Sequence, residues 1–155
     1  MNAEKFLEQY GDITAKIKRK KRLKANAEAQ TVNVTSHLSP DKVQSSGNPQ
    51  KIAEAADEAL DLADEIKELF TLKNEVRKEI EAVLDRISVR LGDILYEKYL
   101  LLTPEKDIAA AIDRSEDTVD RLIKEGQEEV QNILDRKCEG IPANAEECGK
   151  IPVNT

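Results

Sequence analysis

Eight positions spaced alternately four and three apart, Leu62, Ile66, Leu69, Lys73, Val76, Ile80, Val83 and Ile87, constrain the fold of this chain more than any other feature. A period of 3.5 residues puts them on one stripe of a helix, whereas a strand would scatter them over both faces. Residues 50 to about 88 are therefore expected to be helical. A seam sustained over nearly four heptads and flanked by charge argues a coiled coil or a long helical hairpin. Lys73 is its one polar position, either setting register or snorkelling its ammonium into water. Upstream, Ala56, Ala59 and Ala63 make a thin face suited to close approach of another helix.

A partner helix is available. Residues 3 to about 29 carry Phe6, Tyr10, Ile13 and Ile17 at helical spacing before the stripe fades into Lys20 and Lys24. Residues 30–49 are rich in Ser, Thr, Asn, Gly and Pro and read as a loop that returns the chain. The expected arrangement is an antiparallel hairpin, and charge favours it. Residues 1–30 hold eight basic and four acidic side chains, while residues 52–102 hold seven and thirteen. The basic run Lys16, Lys18, Arg19, Lys20, Lys21, Arg22 and Lys24 has two readings: a solvated helix face paired with the acidic helix, or an arm that contacts phosphate.

The chain has 155 residues and a formal net charge of −7, with 39% hydrophobic, 35% charged and only 3% aromatic residues. Long, solvent-washed helices fit that balance better than a thick globular interior. So few aromatics also argue against stacking platforms for single-stranded nucleic acid. No apolar run is long enough for a membrane span and no secretory signal opens the chain, so a cytoplasmic protein is expected. Cys138 and Cys148 lie in a Gly- and Pro-containing tail, where a reducing compartment disfavours a disulfide. With His37 far away, they do not form a zinc site. No carboxylate pair, nucleophile with base or phosphate-cradling glycine loop has usable spacing, so neither an enzyme nor a cofactor is expected.

The segment Thr103–Leu134 reads as a helix-turn-helix. Ile108, Ala111 and Ile112 are expected to face inward from its first helix, and Val119, Leu122 and Ile123 from its second, with Asp113 and Arg114 in the turn. Thr103 is the expected N-cap ahead of Pro104, and Ser115 caps the second helix ahead of Glu116 and Asp117. Residues 89–102, with Leu91, Ile94, Leu95, Tyr99 and Leu102 apolar, read as a support helix joined to the long helix through a flexure at Gly92. Electrostatics complicate DNA binding. This segment has four basic residues against nine acidic ones, and Glu116, Asp117 and Asp120 fall on the second helix. Gly126 stands where a helix former is expected, a loss of roughly 1 kcal/mol relative to Ala.

Taken together, the charged first helix, the loop motif Val43-Gln44-Ser45-Ser46-Gly47, the long acidic helix, Leu95-Tyr96-Glu97-Lys98-Tyr99-Leu100 and the frame Tyr99, Ile108, Ala109 resemble a family of phage and prophage proteins of Gram-positive bacteria. These carry a C-terminus like sigma-factor region 4 and are akin to the ArpU- and RinA-type late transcription regulators. The resemblance covers about residues 3–134. It implies transcription control in a bacterial host cell, with double-stranded DNA, host RNA polymerase or both as partners. Ser115, Thr118, Arg121 and Lys124 match exposed positions of the family's recognition helix.

The expected architecture is all-α: a helical hairpin or coiled coil over residues 1–88, a helix-turn-helix domain over 89–134 and a disordered tail over 135–155. Arg114, Ser115, Thr118, Arg121 and Lys124, with Lys18, Arg19, Lys20, Lys21 and Arg22 of the arm, are the candidate DNA contacts; no metal ligands are expected. The seam also allows a homo-oligomer through the coiled coil. The alternative to DNA binding is a helical interaction or scaffold module whose acidic helix-turn-helix surface docks a basic partner.

Overall fold

The computed structural model describes residues 1–33 and 49–139, and these are all-helical, with no strand among them. The helices are α1 (Ala3–Asn33), α2 (Pro49–Leu84), α3 (Val89–Leu95), α4 (Glu105–Ile112) and α5 (Glu116–Glu139). A π-helical turn, Tyr96–Leu100, follows α3 directly. Helix α1 runs past the expected end near residue 29, and α2 begins at Pro49, a residue suited to the first turn because its missing N–H has no helical partner there. His37 and the Val43–Gly47 motif lie outside the described residues. So do residues 140–155 of the expected tail, whereas α5 keeps residues 135–139 helical.

Compactness divides the chain elsewhere than at residue 88. One unit joins Met1–Asp12 to Glu75–Thr155, and the other is Ile13–Asn74. In the second unit, α1 and α2 lie antiparallel: Lys24 and Glu28 share a groove with Ala63 and Ile66, while Lys16 shares one with Leu69 and Leu72. Ile13, Ile17 and Ala27 are buried from α1, and Ala55, Ala59, Leu62 and Ile66 from α2. The seam is thus legible in the burial, but the alanine face is turned. Ala55 replaces the expected Ala56, which is exposed, because Ala55 lies on the heptad continuation of Leu62 and Ala56 lies one residue, or about 100°, away.

The first unit has the thicker core. Phe6 and Leu7 of α1, Ile80, Val83 and Leu84 of α2, Leu91 and Leu95 of α3, and Val119, Ile123 and Val130 of α5 are all buried. Two backbone N–H groups are capped across it: that of Ala3 donates to Gln131 Oε1 at 2.8 Å, and that of Ser88 to Glu129 Oε2 at 3.1 Å. The break after the long helix falls at Asp85–Ser88, where Arg86 and Ile87 donate to the carbonyls three residues back, and not at Gly92. Gly92 is buried inside α3, where a Cβ would stand 3.1 Å from the Leu84 carbonyl oxygen. Its role is close approach, not flexure.

The start of α4 is shifted by one residue. Pro104, extended at φ −60 and ψ 144, precedes the helix, and its carbonyl accepts from the N–H groups of Asp107 and Ile108. Thr103 does not cap it. Leu102 in the left-handed region (φ 56) folds the chain back, so that Thr103 N–H reaches the Glu97 carbonyl at 2.9 Å and Thr103 Oγ1 donates to Glu97 Oε2 at 2.9 Å. Burial in α4 is also rotated: Ile108 and Ala109 face the core, whereas Ala111 is exposed and Ile112 remains 37% accessible. An inward direction lying between Ile108 and Ala109 leaves Ala111 on the far side at 100° per residue, and Ile112 ends the helix where the chain departs.

Candidate nucleic-acid interface

The turn between α4 and α5 is built from backbone bonds. Asp113 adopts the left-handed conformation (φ 54, ψ 53), its N–H donating to Ala110 O, while Arg114 N–H donates to Ala109 O at 3.0 Å. This pair of bonds satisfies two of the orphan carbonyls at the end of α4. Ser115 then caps α5 as its type predicts: Ser115 Oγ accepts from Thr118 N–H at 3.2 Å and shares a 2.8 Å hydrogen bond with Thr118 Oγ1. The acids Glu116 and Asp117 occupy the positive end of the helix. Val119, Leu122 and Ile123 are buried as expected, which turns Arg121 and Lys124 outward.

The candidate DNA contacts on this surface differ in availability. Arg114 and Arg121 are exposed, and neither makes an ion pair with another described residue. Lys124 is exposed but tied to Asp120 Oδ2 at 2.7 Å, and that bond raises its pKa. Ser115 and Thr118 are largely engaged with each other. Lys98 of the π turn holds Glu105 of α4 at 2.6 Å. Partial burial lowers the Lys98 pKa, but the bond to Glu105, with Tyr99, outweighs that and raises it. Tyr99 is anchored by a 2.6 Å hydrogen bond from Gln127 Nε2, and burial pushes its phenol pKa up. The π turn is thereby fixed to both α4 and α5.

The basic run belongs to the other compact unit, and its members have unlike surroundings. Lys20 forms an ion pair with Glu65 of α2, and Lys24 pairs with Glu28 at 2.7 Å along α1. Lys21 sits 4.9 Å from the ring centroid of Phe70. Lys16, Lys18, Arg19 and Arg22 are exposed without an ion pair to another described residue. Lys20 therefore pairs with the acidic helix as the first reading expects, while Lys18 and Arg22 stand exposed on α1.

Sequence reasoning missed that Lys73 and Phe70 of α2 share a groove with Lys18, Lys21 and Arg22 of α1. The heptad period located Lys73 in the seam but could not say which side chains of α1 lie across from it. Among the described residues no helix is long and apolar enough to cross a membrane, and no group of His, Cys, Asp or Glu is arranged to hold a metal ion. No family model, curated protein or solved structure matches the chain.

Proposed function

We propose that this protein is a non-enzymatic transcription regulator of phage type, in which α4, the turn and α5 act as a helix-turn-helix like sigma-factor region 4 on double-stranded DNA, RNA polymerase or both. The observation that carries the reading is the α4–α5 pair itself. Its short first helix ends in a left-handed turn residue and its second begins at a serine cap. Burial of Ile108 and Ala109 against the Val119, Leu122 and Ile123 side leaves the Arg121 side in solvent. A helix presented this way suits a major groove, where an arginine reads guanine edges.

The test is a salt-dependent titration of the full chain on duplexes from a phage late promoter region, with and without RNA polymerase. Arg121→Ala is expected to lower the preference for the specific site by about 1–3 kcal/mol. Equal binding of specific and random duplexes by the parent chain would count against promoter recognition by α5.

A second reading, docking of the acidic α5 surface on a basic partner, is supported by the pairing of Lys124 with Asp120 and the exposure of Glu116 and Asp117. DNA binding that ignores Arg121→Ala, together with loss of a polymerase or phage-protein interaction, would favour it.

A further inference from the structure

We infer that the groove between α1 and α2 lined by Lys18, Lys21, Arg22, Lys73 and Phe70 binds the phosphate backbone of double-stranded DNA, as a second contact separate from α5. The inference rests on the DNA-binding reading above and says where the non-specific affinity of an acidic protein resides. The groove has a volume of about 490 Å³, and its lining contains four cations and no carboxylate. That is unusual in a chain with 31 acidic and 24 basic residues. The groove on the other side of the same helix pair, about 380 Å³, mixes Lys16, Arg19 and Lys20 with Glu65 and Glu68. The second groove is thus partly neutralised by its own carboxylates, whereas the first is cationic throughout and is the better complement to a polyanion.

The kind of polyanion follows from the same residues. Lys18, Lys21 and Arg22 lie at i, i+3 and i+4 on α1, so they project from one face as a short cationic row. Phe70 is the one aromatic residue in the lining, and its face already meets the Lys21 ammonium at 4.9 Å. A ring so occupied is a poor platform for unstacked bases, which argues for a duplex read through its backbone over a single strand. An anionic membrane surface fits less well, because apart from Phe70 the groove's apolar lining is Ile17, which is buried, and the small Ala25, with nothing long enough to insert.

The experiment compares two variants of the full chain with the same change in net charge: Lys18→Gln with Arg22→Gln in the groove, and Lys16→Gln with Arg19→Gln on the opposite side. All four positions are exposed, and helicity by circular dichroism is expected to match the parent. The probe is a short random-sequence DNA duplex titrated by fluorescence anisotropy over a salt series. The groove variant is expected to flatten the log affinity against log salt slope by close to two units, about 0.9 for each lost phosphate contact, and the control by much less. Equal slopes for both variants overturn the inference while leaving the α5 reading intact, since Arg121→Ala reports separately on sequence preference. If the parent binds vesicles containing phosphatidylserine and not the duplex, both the inference and the DNA reading fall.

Discussion

Gly126 of α5 lies directly against Leu95 of α3: a Cβ at position 126 would stand 2.9 Å from Leu95 Cδ1 and 3.1 Å from Leu95 Cγ. Leu95 is fully buried, so it has nowhere to withdraw. Helix propensity alone favours alanine at position 126 by roughly 1 kcal/mol. Overpacking of a filled core typically costs about 1–3 kcal/mol, and here it is expected to win. Gly126→Ala should therefore lower the midpoint of chemical denaturation. A raised midpoint would mean that α3 and α5 can separate at little cost.

Asp113 supports the opposite substitution. It holds a left-handed conformation at the end of α4 while remaining exposed, so its side chain has steric cost and no packing to lose. Asp113→Gly is expected to stabilise the protein by about 0.5–1 kcal/mol, and Asp113→Ala to destabilise it, as read from thermal unfolding. Destabilisation by glycine would show that the carboxylate makes an interaction the backbone geometry does not require.

Glu79 gives a pH-dependent expectation. Burial raises its carboxyl pKa above 4.5, with Lys137 opposing and Glu75 reinforcing the rise. The native state then holds the proton more tightly than the unfolded chain, so ionisation of Glu79 works against folding. Its contribution to stability improves as pH falls from above the raised value towards 4.5. Glu79→Gln should accordingly stabilise the protein at neutral pH, with the advantage over the parent shrinking as pH drops through that window. A difference that stays constant from neutral pH to below 4.5 would contradict the shift.

On α5, Asp120 holds Lys124 and Glu116 lies near the helix start. Glu116→Gln with Asp120→Asn removes two negative charges and frees the ammonium, and is expected to tighten non-specific duplex binding several-fold at low salt. Helix content should change little. Unchanged affinity would indicate that this face of α5 does not approach DNA.

Periodicity and helix-end chemistry were legible in the amino-acid sequence. The four-and-three spacing located Leu62, Ile66, Val76, Ile80 and Val83, which are buried within the single chain. Ser115 announced the start of α5 because a serine hydroxyl satisfies a first-turn N–H wherever the helix later packs. At Thr103 the same logic misled. A left-handed Leu102 and the π turn before it brought the hydroxyl to Glu97, and no local preference of leucine announces a positive φ.

Among the candidate contacts, residue type and helical period were enough to say which side chains carry charge and that Arg121 and Lys124 lie opposite the apolar stripe of α5. Their surroundings came only from packing: Lys20 pairs with Glu65, Lys21 lies over the Phe70 ring, and Lys18, Lys21 and Arg22 line one groove together with Lys73. Packing also decided why positions 92 and 126 are glycine. The physical reason is range. Periodicity and capping act within a few residues of one helix, whereas a close approach or an ion pair between helices depends on the rotation and register of a second element, which neither helix encodes alone.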